Sequence, residues 1–266
     1  KRRLFLMKSS NLSRIFNKRL PEIPTMPDPL RPHPHTSVGI EVELEGSFRD
    51  IPDMKMWRVE SEGSLIGGVE FVSEPVWGTA ITDALMELDK VLKENSPVIS
   101  FRTSTHVHVN CLDITATQLI RLMSIYVMYE IPLFRMHGDR INNIFCVPVS
   151  SSVELQKSYA GLYDYTEQLG DGSRGRVRSK YAALNPNSLA DFGTLEFRHM
   201  AGCTDMGEIS NWIDTLLQMK ASALRDDLDI TNPRDVWGSE VDRLQIQEGD
   251  LERGSQVIES INMWRY

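Results

Sequence analysis

The sequence predicts an α+β fold with a largely antiparallel sheet and helices on one face. Strand-like and helix-like segments are interspersed without the regular βαβ alternation that builds parallel sheets. Several strand segments alternate apolar residues with acidic or imidazole residues, which predicts a sheet with an apolar back and a polar front. At 266 residues, 41% hydrophobic and 25% charged, the chain is long enough for a substantial core.

Three regions are expected along the chain. Residues 1–35 carry eight Lys or Arg against two Asp or Glu, and six prolines between 21 and 34 exclude a helix or central strand there. We interpret 1–35 as a basic, Pro-rich arm, 36–227 as the main folded domain, and 228–266 as an extension packed on the domain or on a partner. A basic arm on an acidic body is typical of docking, in a homo-oligomer or on another protein, and equally of a solubilising tail.

Composition argues against nucleic-acid binding and membrane insertion. The net charge of -8 argues against nucleic-acid binding, since the body would repel phosphates. Apolar runs fall well short of the roughly 20 residues that cross a bilayer, so no membrane is expected. Three widely spaced cysteines indicate neither a disulfide framework nor a Cys-based zinc module, which favours a cytoplasmic location.

The elements follow from residue periodicity. Strands are predicted near 39–45, 56–59, 68–73, 98–101, 105–110, 180–185 and 193–199. Helices are predicted near 79–94, 113–130, 152–168 and 206–225, where apolar residues recur at helical spacing, as Ile81, Leu85, Leu88 and Leu92 do in the first. A basic, glycine-containing loop lies at 170–176, and the pattern weakens beyond residue 228.

Four of these strand segments carry the candidate chemistry on one face. They present Glu41, Glu43 and Glu45; Glu70 and Glu74; His106 and His108; and Glu196 and Arg198. Each segment alone is typical of a solvated strand, a satisfied histidine or a structural ion pair. Together, the carboxylates would repel one another unless a cation neutralised them. Oxygen ligands in excess over imidazoles favour Mg²⁺ or Mn²⁺, and Mg²⁺ commonly takes phosphate oxygens, which points to a nucleotide.

The sequence has neither a P-loop nor a Gly-x-Gly-x-x-Gly that opens a helix. A nucleotide would therefore be held by metal ions and arginines. Arg198 shares a strand face with Glu196, and Arg174, Arg176 and Arg178 lie on or beside the basic loop. Metal ions with guanidinium groups suit phosphoryl transfer.

An ordered set of motifs resembles the amidoligase family, which belongs to the carboxylate–amine ligase superfamily with glutamine synthetase and glutamate–cysteine ligase. The motifs are Gly39-x-Glu41-x-Glu43, Trp57 followed by Glu62-Gly63-Ser64-Leu65, Glu70-Phe71-Val72-Ser73-Glu74-Pro75, His106-x-His108, Lys180-Tyr181-Ala182-Ala183-Leu184-Asn185 and Thr194-Leu195-Glu196-Phe197-Arg198. The segment from Arg140 to Cys146-Val147-Pro148 also resembles part of the family. The resemblance spans roughly residues 36–225.

The resemblance implies a glutamine-synthetase-like fold, in which a curved antiparallel sheet surrounds ATP and two or three Mg²⁺ (or Mn²⁺) ions. By position, the metal ligands would be Glu41, Glu43, Glu70, His106 and Glu196, with His108 or Glu74 completing or orienting the shell. Arg198 would contact phosphate. Apart from the resemblance, the charge of the basic loop makes Arg176 and Arg178 further candidate nucleotide contacts. Glu62 stands where the family commonly has Asp.

The expected function is an ATP-dependent ligase that joins a small-molecule or peptide carboxylate to an amine through an acyl-phosphate. Glu62 or Glu74 would deprotonate the amine. One alternative is a non-catalytic assembly or scaffold protein on a ligase-like fold, tethered by its basic arm. Another is a zinc hydrolase using His106 and His108, which the surplus of carboxylates disfavours.

Overall fold

The computed structural model describes residues 36–49, 51–168 and 181–265. Within these ranges, seven strands form one open antiparallel sheet, accompanied by seven α-helices. The predicted α+β class with an antiparallel sheet is confirmed. The N-terminal arm (1–35) and the loop with Arg174, Arg176 and Arg178 lie outside the described residues.

The sheet centres on its first strand. The strands are β1 (Val38–Ser47), β2 (Trp57–Glu60), β3 (Gly68–Ser73), β4 (Ser96–Val98), β5 (Ser104–Asn110), β6 (Leu184–Asn185) and β7 (Thr194–Ala201). Their order is β2-β3-β1-β5-β7-β6, and β4 pairs with the end of β1. The strand predicted at 98–101 begins and ends earlier, because Ser100 and Thr103 form a turn in which Thr103 N donates to the Ser100 carbonyl.

The helices lie mostly where residue periodicity predicts them. They are α1 (Thr79–Glu94), α2 (Ala116–Arg135), α3 (Val153–Gln168), α4 (Ser188–Asp191), α5 (Met206–Ala223), α6 (Pro233–Trp237) and α7 (Asp250–Met263). A capping box starts α2: Gln118 N donates to Thr115 Oγ1 at 3.2 Å, and Thr115 N donates to Gln118 Oε1 at 2.9 Å. Asp205 caps α5 by accepting from Gly207 N and Glu208 N.

One face of the sheet, the back face, packs against the helices. Val42, Val107 and Phe197 are fully buried there and belong to the same core as the apolar sides of α1, α2 and α5. The Phe197 ring lies edge-on to Tyr126 of α2, with centroids 6.2 Å apart. The opposite face, which carries Glu41 and His106, is called the front face below.

A bulge in β7 turns Met200 to the same face as Phe197, whereas Arg198 and His199 alternate as in a regular strand. The β5–β7 ladder shifts register between Thr105 and Val107, so β7 accommodates one extra residue. Arg198 lies beside His106 on the front, with Nη1 3.4 Å from Nδ1. The next residue, His199, packs instead on the helical side, where Nε2 lies 3.2 Å from the Tyr126 hydroxyl.

Beyond residue 228, where the hydrophobic periodicity is weak, the chain forms the 14-residue helix α7. α7 packs along α2, and Arg135 of α2 holds Asp250 through two contacts of 3.0 Å. Gly254 allows this approach, because a Cβ there would lie 2.4 Å from the Met128 carbonyl oxygen. The helix is hard to predict because only one of its apolar side chains, Ile261, is fully buried.

Candidate metal and nucleotide site on the front face

Cross-strand register gathers the predicted side chains. Glu41 of β1 stands opposite His106 of β5, and Glu43 stands opposite Glu70 of β3. His108 stands opposite Glu196 of β7. Directly opposed residues share a sheet face and lie close together. Four strands that are far apart in sequence therefore supply one polar cluster.

Glu41 is the centre of this cluster. Its Oε2 lies 3.1 Å from His106 Nδ1, and its Oε1 lies 3.1 Å from His108 Nε2. Burial would raise the pKa of Glu41, but its contacts with the two histidines hold that pKa well below the ordinary value. For His108, burial opposes the charged form, yet contact with Glu41 raises its pKa above the ordinary value. Glu41 is thus ionised and available to a cation.

Glu196 and Arg198 form a close ion pair on β7. Asn185 of β6 donates to the other Glu196 oxygen at 2.7 Å. Burial would raise the pKa of Glu196, but the charge of Arg198 keeps it below the ordinary value. Arg198 Nε also points at the Phe145 carbonyl, 3.5 Å away. The guanidinium is therefore held in place beside the carboxylates.

Glu43 and Glu70 are carboxylates in directly opposed positions. Glu43 accepts from the Ser104 hydroxyl, and its Oε1 lies 3.9 Å from His106 Nδ1. Burial, with the charges of Glu41 and Glu43, raises the pKa of Glu70 to about 8. A group held this far from its ordinary pKa is characteristic of functional sites.

Two cavities open onto the front face. The first, called the acidic cavity, measures about 250 Å³ and is lined by Glu41, Glu43, Glu62, Ser64, Glu70, Arg102, Ser104, His106, Phe145, Tyr181, Asn185 and Arg198. The second, called the apolar cavity, measures about 470 Å³ and includes Val72, Glu74, His108, Leu112 and Phe192 in its walls. Glu41 lines both cavities, so the two cavities adjoin at the centre of the cluster.

Two sets of side chains could each hold a metal ion. Glu41, His108 and Glu196 form one set, and Glu41, Glu70 and His106 form the other; within each set the ligand atoms lie within 4.8 Å of one another. His106 is 1% exposed, and its Nε2 has no hydrogen-bond partner. A buried polar atom without a partner is costly, and a bound ion would satisfy it. The carboxylate-rich donor sets fit Mg²⁺ or Mn²⁺.

The other predicted site residues are distributed unevenly. Glu62 lines the acidic cavity, where its Oε1 accepts from Ser64 N at 3.0 Å. Glu74 is exposed and lines the apolar cavity, apart from Glu62. Glu43 belongs to neither set of ligand atoms, so its role as a ligand stays a prediction. Arg176 and Arg178 lie outside the described residues.

The structure adds residues that motif reasoning did not single out. Ser104 precedes His106 by two positions, so strand alternation alone would have placed it on the front face. Asn185 appears in a motif without a role, and the structure gives it one as the partner of Glu196. Arg102 sits in a turn with no periodic signal, and its Nη1 donates to the Ser64 carbonyl at 3.1 Å.

The fold and site together define a class: an open antiparallel sheet that gathers carboxylates, imidazoles and an arginine over a cavity suited to hard divalent cations. Residues 37–220 match a family model described as "Putative amidoligase enzyme". The chain therefore belongs to this amidoligase family. Comparison with curated proteins gave no significant match. In the described ranges, the helices are all too short or too polar to cross a membrane.

Proposed function

We propose that the protein is an ATP-dependent carboxylate–amine ligase that forms an amide or peptide bond through an acyl-phosphate. The observation that carries the proposal is the pair of ligand sets that share Glu41 and lie beside Arg198. Cations and a guanidinium in one place are what a polyphosphate requires. Membership of the amidoligase family supports the ligase chemistry.

Divalent cations would be held by Glu41, Glu70 and His106 and by Glu41, His108 and Glu196. Cations bound there would neutralise the negative charge that develops on the oxygens of the phosphoryl group as it is transferred. Neutral imidazoles and ionised carboxylates are the forms that ligate metal, and Glu70 would release its proton on binding.

Arg198 orients the anionic groups. It is largely buried, Glu196 and the Phe145 carbonyl fix its position, and it lines the acidic cavity. Arg102 lines the same cavity and provides a second positive charge. Pre-organised donors cost no reorganisation when charge develops.

The reaction has two steps. A carboxylate oxygen of the first substrate bonds to the γ-phosphorus of ATP, and ADP leaves with the electrons of the broken P–O bond. The amine nitrogen of the second substrate then bonds to the acyl carbon, and phosphate leaves. The amine nitrogen gives a proton to a carboxylate of the protein, and the candidates for this base are Glu62 and Glu74.

Hydroxylamine tests the acyl-phosphate directly, because it is a reactive amine that needs no specific pocket. The full chain is incubated with Mg-ATP, hydroxylamine and a panel of amino-acid and peptide carboxylates, and hydroxamate is measured. We expect ATP-dependent hydroxamate with at least one carboxylate, and its loss in Glu196→Gln but not in Met86→Ala, which alters an exposed residue of α1. Mg-ATP binding without hydroxamate from any carboxylate would contradict the proposed chemistry.

A further inference from the structure

The apolar cavity is a separate space that adjoins the candidate metal site. Glu41 lines both cavities, whereas His106 lines only the acidic one and His108 only the apolar one. The Glu41–His108 contact of 3.1 Å is therefore part of the boundary between the two spaces. A two-substrate reaction needs such an arrangement, in which two molecules approach one reacting group from different sides.

The guanidinium groups distinguish the two cavities. Arg198 and Arg102 line the acidic cavity, and they suit phosphate and carboxylate oxygens. Among the described residues that line the apolar cavity, the only arginine is Arg58, whose side chain is 63% exposed and lies 3.8 Å from Glu60.

The carboxylates of the apolar cavity outnumber this one arginine. Glu74 and Asp191 line it, in addition to Glu41, which contacts His108 at 3.1 Å. With these two carboxylates besides Glu41 and one solvated guanidinium, the cavity favours a cationic ligand over an anionic one.

The walls favour a ligand with an apolar body. Val72 and Leu112 line the cavity together with Phe192, which is 67% exposed. The Phe192 ring meets His108 edge-to-face, with centroids 5.9 Å apart. An exposed aromatic ring at a cavity can cover an apolar group, and its face also attracts ammonium groups.

We propose that the apolar cavity binds the acceptor amine, as an organic ammonium with an aromatic or extended apolar body. This inference rests on the proposed ligase function and adds the class of its second substrate. It also separates the two candidate bases, because Glu74 lines this cavity and Glu62 does not. Glu74 then accepts one proton from the ammonium, the freed amine nitrogen bonds to the acyl carbon, and phosphate leaves with the second proton.

Calorimetric titration of the full chain with 2-phenylethylamine as the probe tests the proposal. Its uncharged and anionic counterparts, 2-phenylethanol and 3-phenylpropionate, serve as matched ligands, and adenosine reports a nucleoside pocket. We expect the amine to bind more tightly than all three. Phe192→Ala and Glu74→Gln should each weaken it about tenfold. Glu62→Gln and Met86→Ala should stay within about twofold of the wild type, which is below 0.5 kcal/mol.

Three results would overturn the assignment: tighter binding of 3-phenylpropionate, tighter binding of adenosine that Phe192→Ala removes, or amine binding that is insensitive to both Phe192→Ala and Glu74→Gln. Circular dichroism of each variant distinguishes lost binding from lost folding. The amine titration needs neither ATP nor metal. Failure of the ligase proposal therefore shows separately, as absent hydroxamate in the presence of Mg-ATP.

Discussion

Glu43 and Glu70 stand directly opposite each other in the β1–β3 ladder, on the face that lines the acidic cavity. Like charges in directly opposed positions destabilise a sheet. The pair therefore lowers the stability of the metal-free protein, and a cation bound beside Glu41 would restore that stability.

Removing one charge of this pair should stabilise the metal-free protein. We expect Glu70→Gln to raise the free energy of unfolding by about 1 kcal/mol at pH 8 with chelator present, a modest gain because solvent screens a half-buried group. Millimolar Mn²⁺ should stabilise the wild type more than the variant. Denaturant titrations measure both effects.

In Glu60→Gln, which alters an exposed carboxylate opposite Glu70, the response to Mn²⁺ should match the wild type. An equal Mn²⁺ response in wild type and Glu70→Gln would contradict Glu70 as a ligand.

Arg198→Lys tests the predicted phosphate contact. Lysine keeps the charge but cannot reach both Glu196 and the Phe145 carbonyl, contacts that now fix the guanidinium. We expect Mg-ATP affinity to fall about tenfold or more, roughly 1.4 kcal/mol. Calorimetry measures the affinity, and Arg234→Lys on α6 is the control at an exposed position. Unchanged affinity in Arg198→Lys would exclude a direct role in phosphate binding.

His199, which is fully buried, and His137, which is partly buried, should make the protein sensitive to mild acid. Burial, with the charge of Arg140, lowers the pKa of His137 to about 4, and burial lowers the pKa of His199 well below its ordinary value. Between pH 6.5 and 4 the unfolded chain therefore binds protons that the folded chain excludes. Stability is lost as pH falls through this window, by up to about 1.4 kcal/mol per pH unit for each histidine.

The measurement compares denaturant unfolding of the wild type with His137→Gln at pH 7.5 and pH 5. Because glutamine does not titrate, the variant should lose less stability between the two pH values. An identical pH dependence in both proteins would show that folding does not lower the pKa of His137.

A pair of helical glycines tests the packing of α7 on α2. Gly254→Ala should destabilise the protein by about 1–3 kcal/mol, since the new Cβ would press on the Met128 backbone. Gly161→Ala in α3 meets nothing within 4 Å and should be neutral or stabilising by up to about 1 kcal/mol. Thermal unfolding measures both changes. Equal behaviour of the two variants would mean that α7 does not pack closely on α2.

The front-face cluster could be predicted because strand periodicity is strict. Alternation puts Glu41 and Glu43 on one face, His106 and His108 on one face, and the structure unites them. Glu74 has the parity of Glu70, but it follows the end of β3 at Ser73, is exposed, and lines the apolar cavity instead of the acidic one. Sequence motifs alone therefore left Glu62 and Glu74 as equivalent bases, whereas the structure places them in different cavities.

Other features depend on three-dimensional contacts that no local pattern encodes. The β7 bulge places Met200 on the same face as Phe197, against strict alternation, and its position depends on pairing with β5. α7 escaped prediction because its contacts with α2 need only Gly254 and a few apolar side chains. Arg102 reaches the acidic cavity from a turn, where residue spacing carries no information about direction.

Calorimetric titration of ATP into the full chain, with millimolar Mg²⁺ and then with chelator, tests the central claim most directly. The account predicts saturable binding that requires the divalent cation and is lost in Glu41→Gln and Glu196→Gln while both variants remain folded. Absence of binding in the presence of Mg²⁺, or equal binding with chelator, would contradict a metal–nucleotide site and favour a scaffold built on a ligase-like fold.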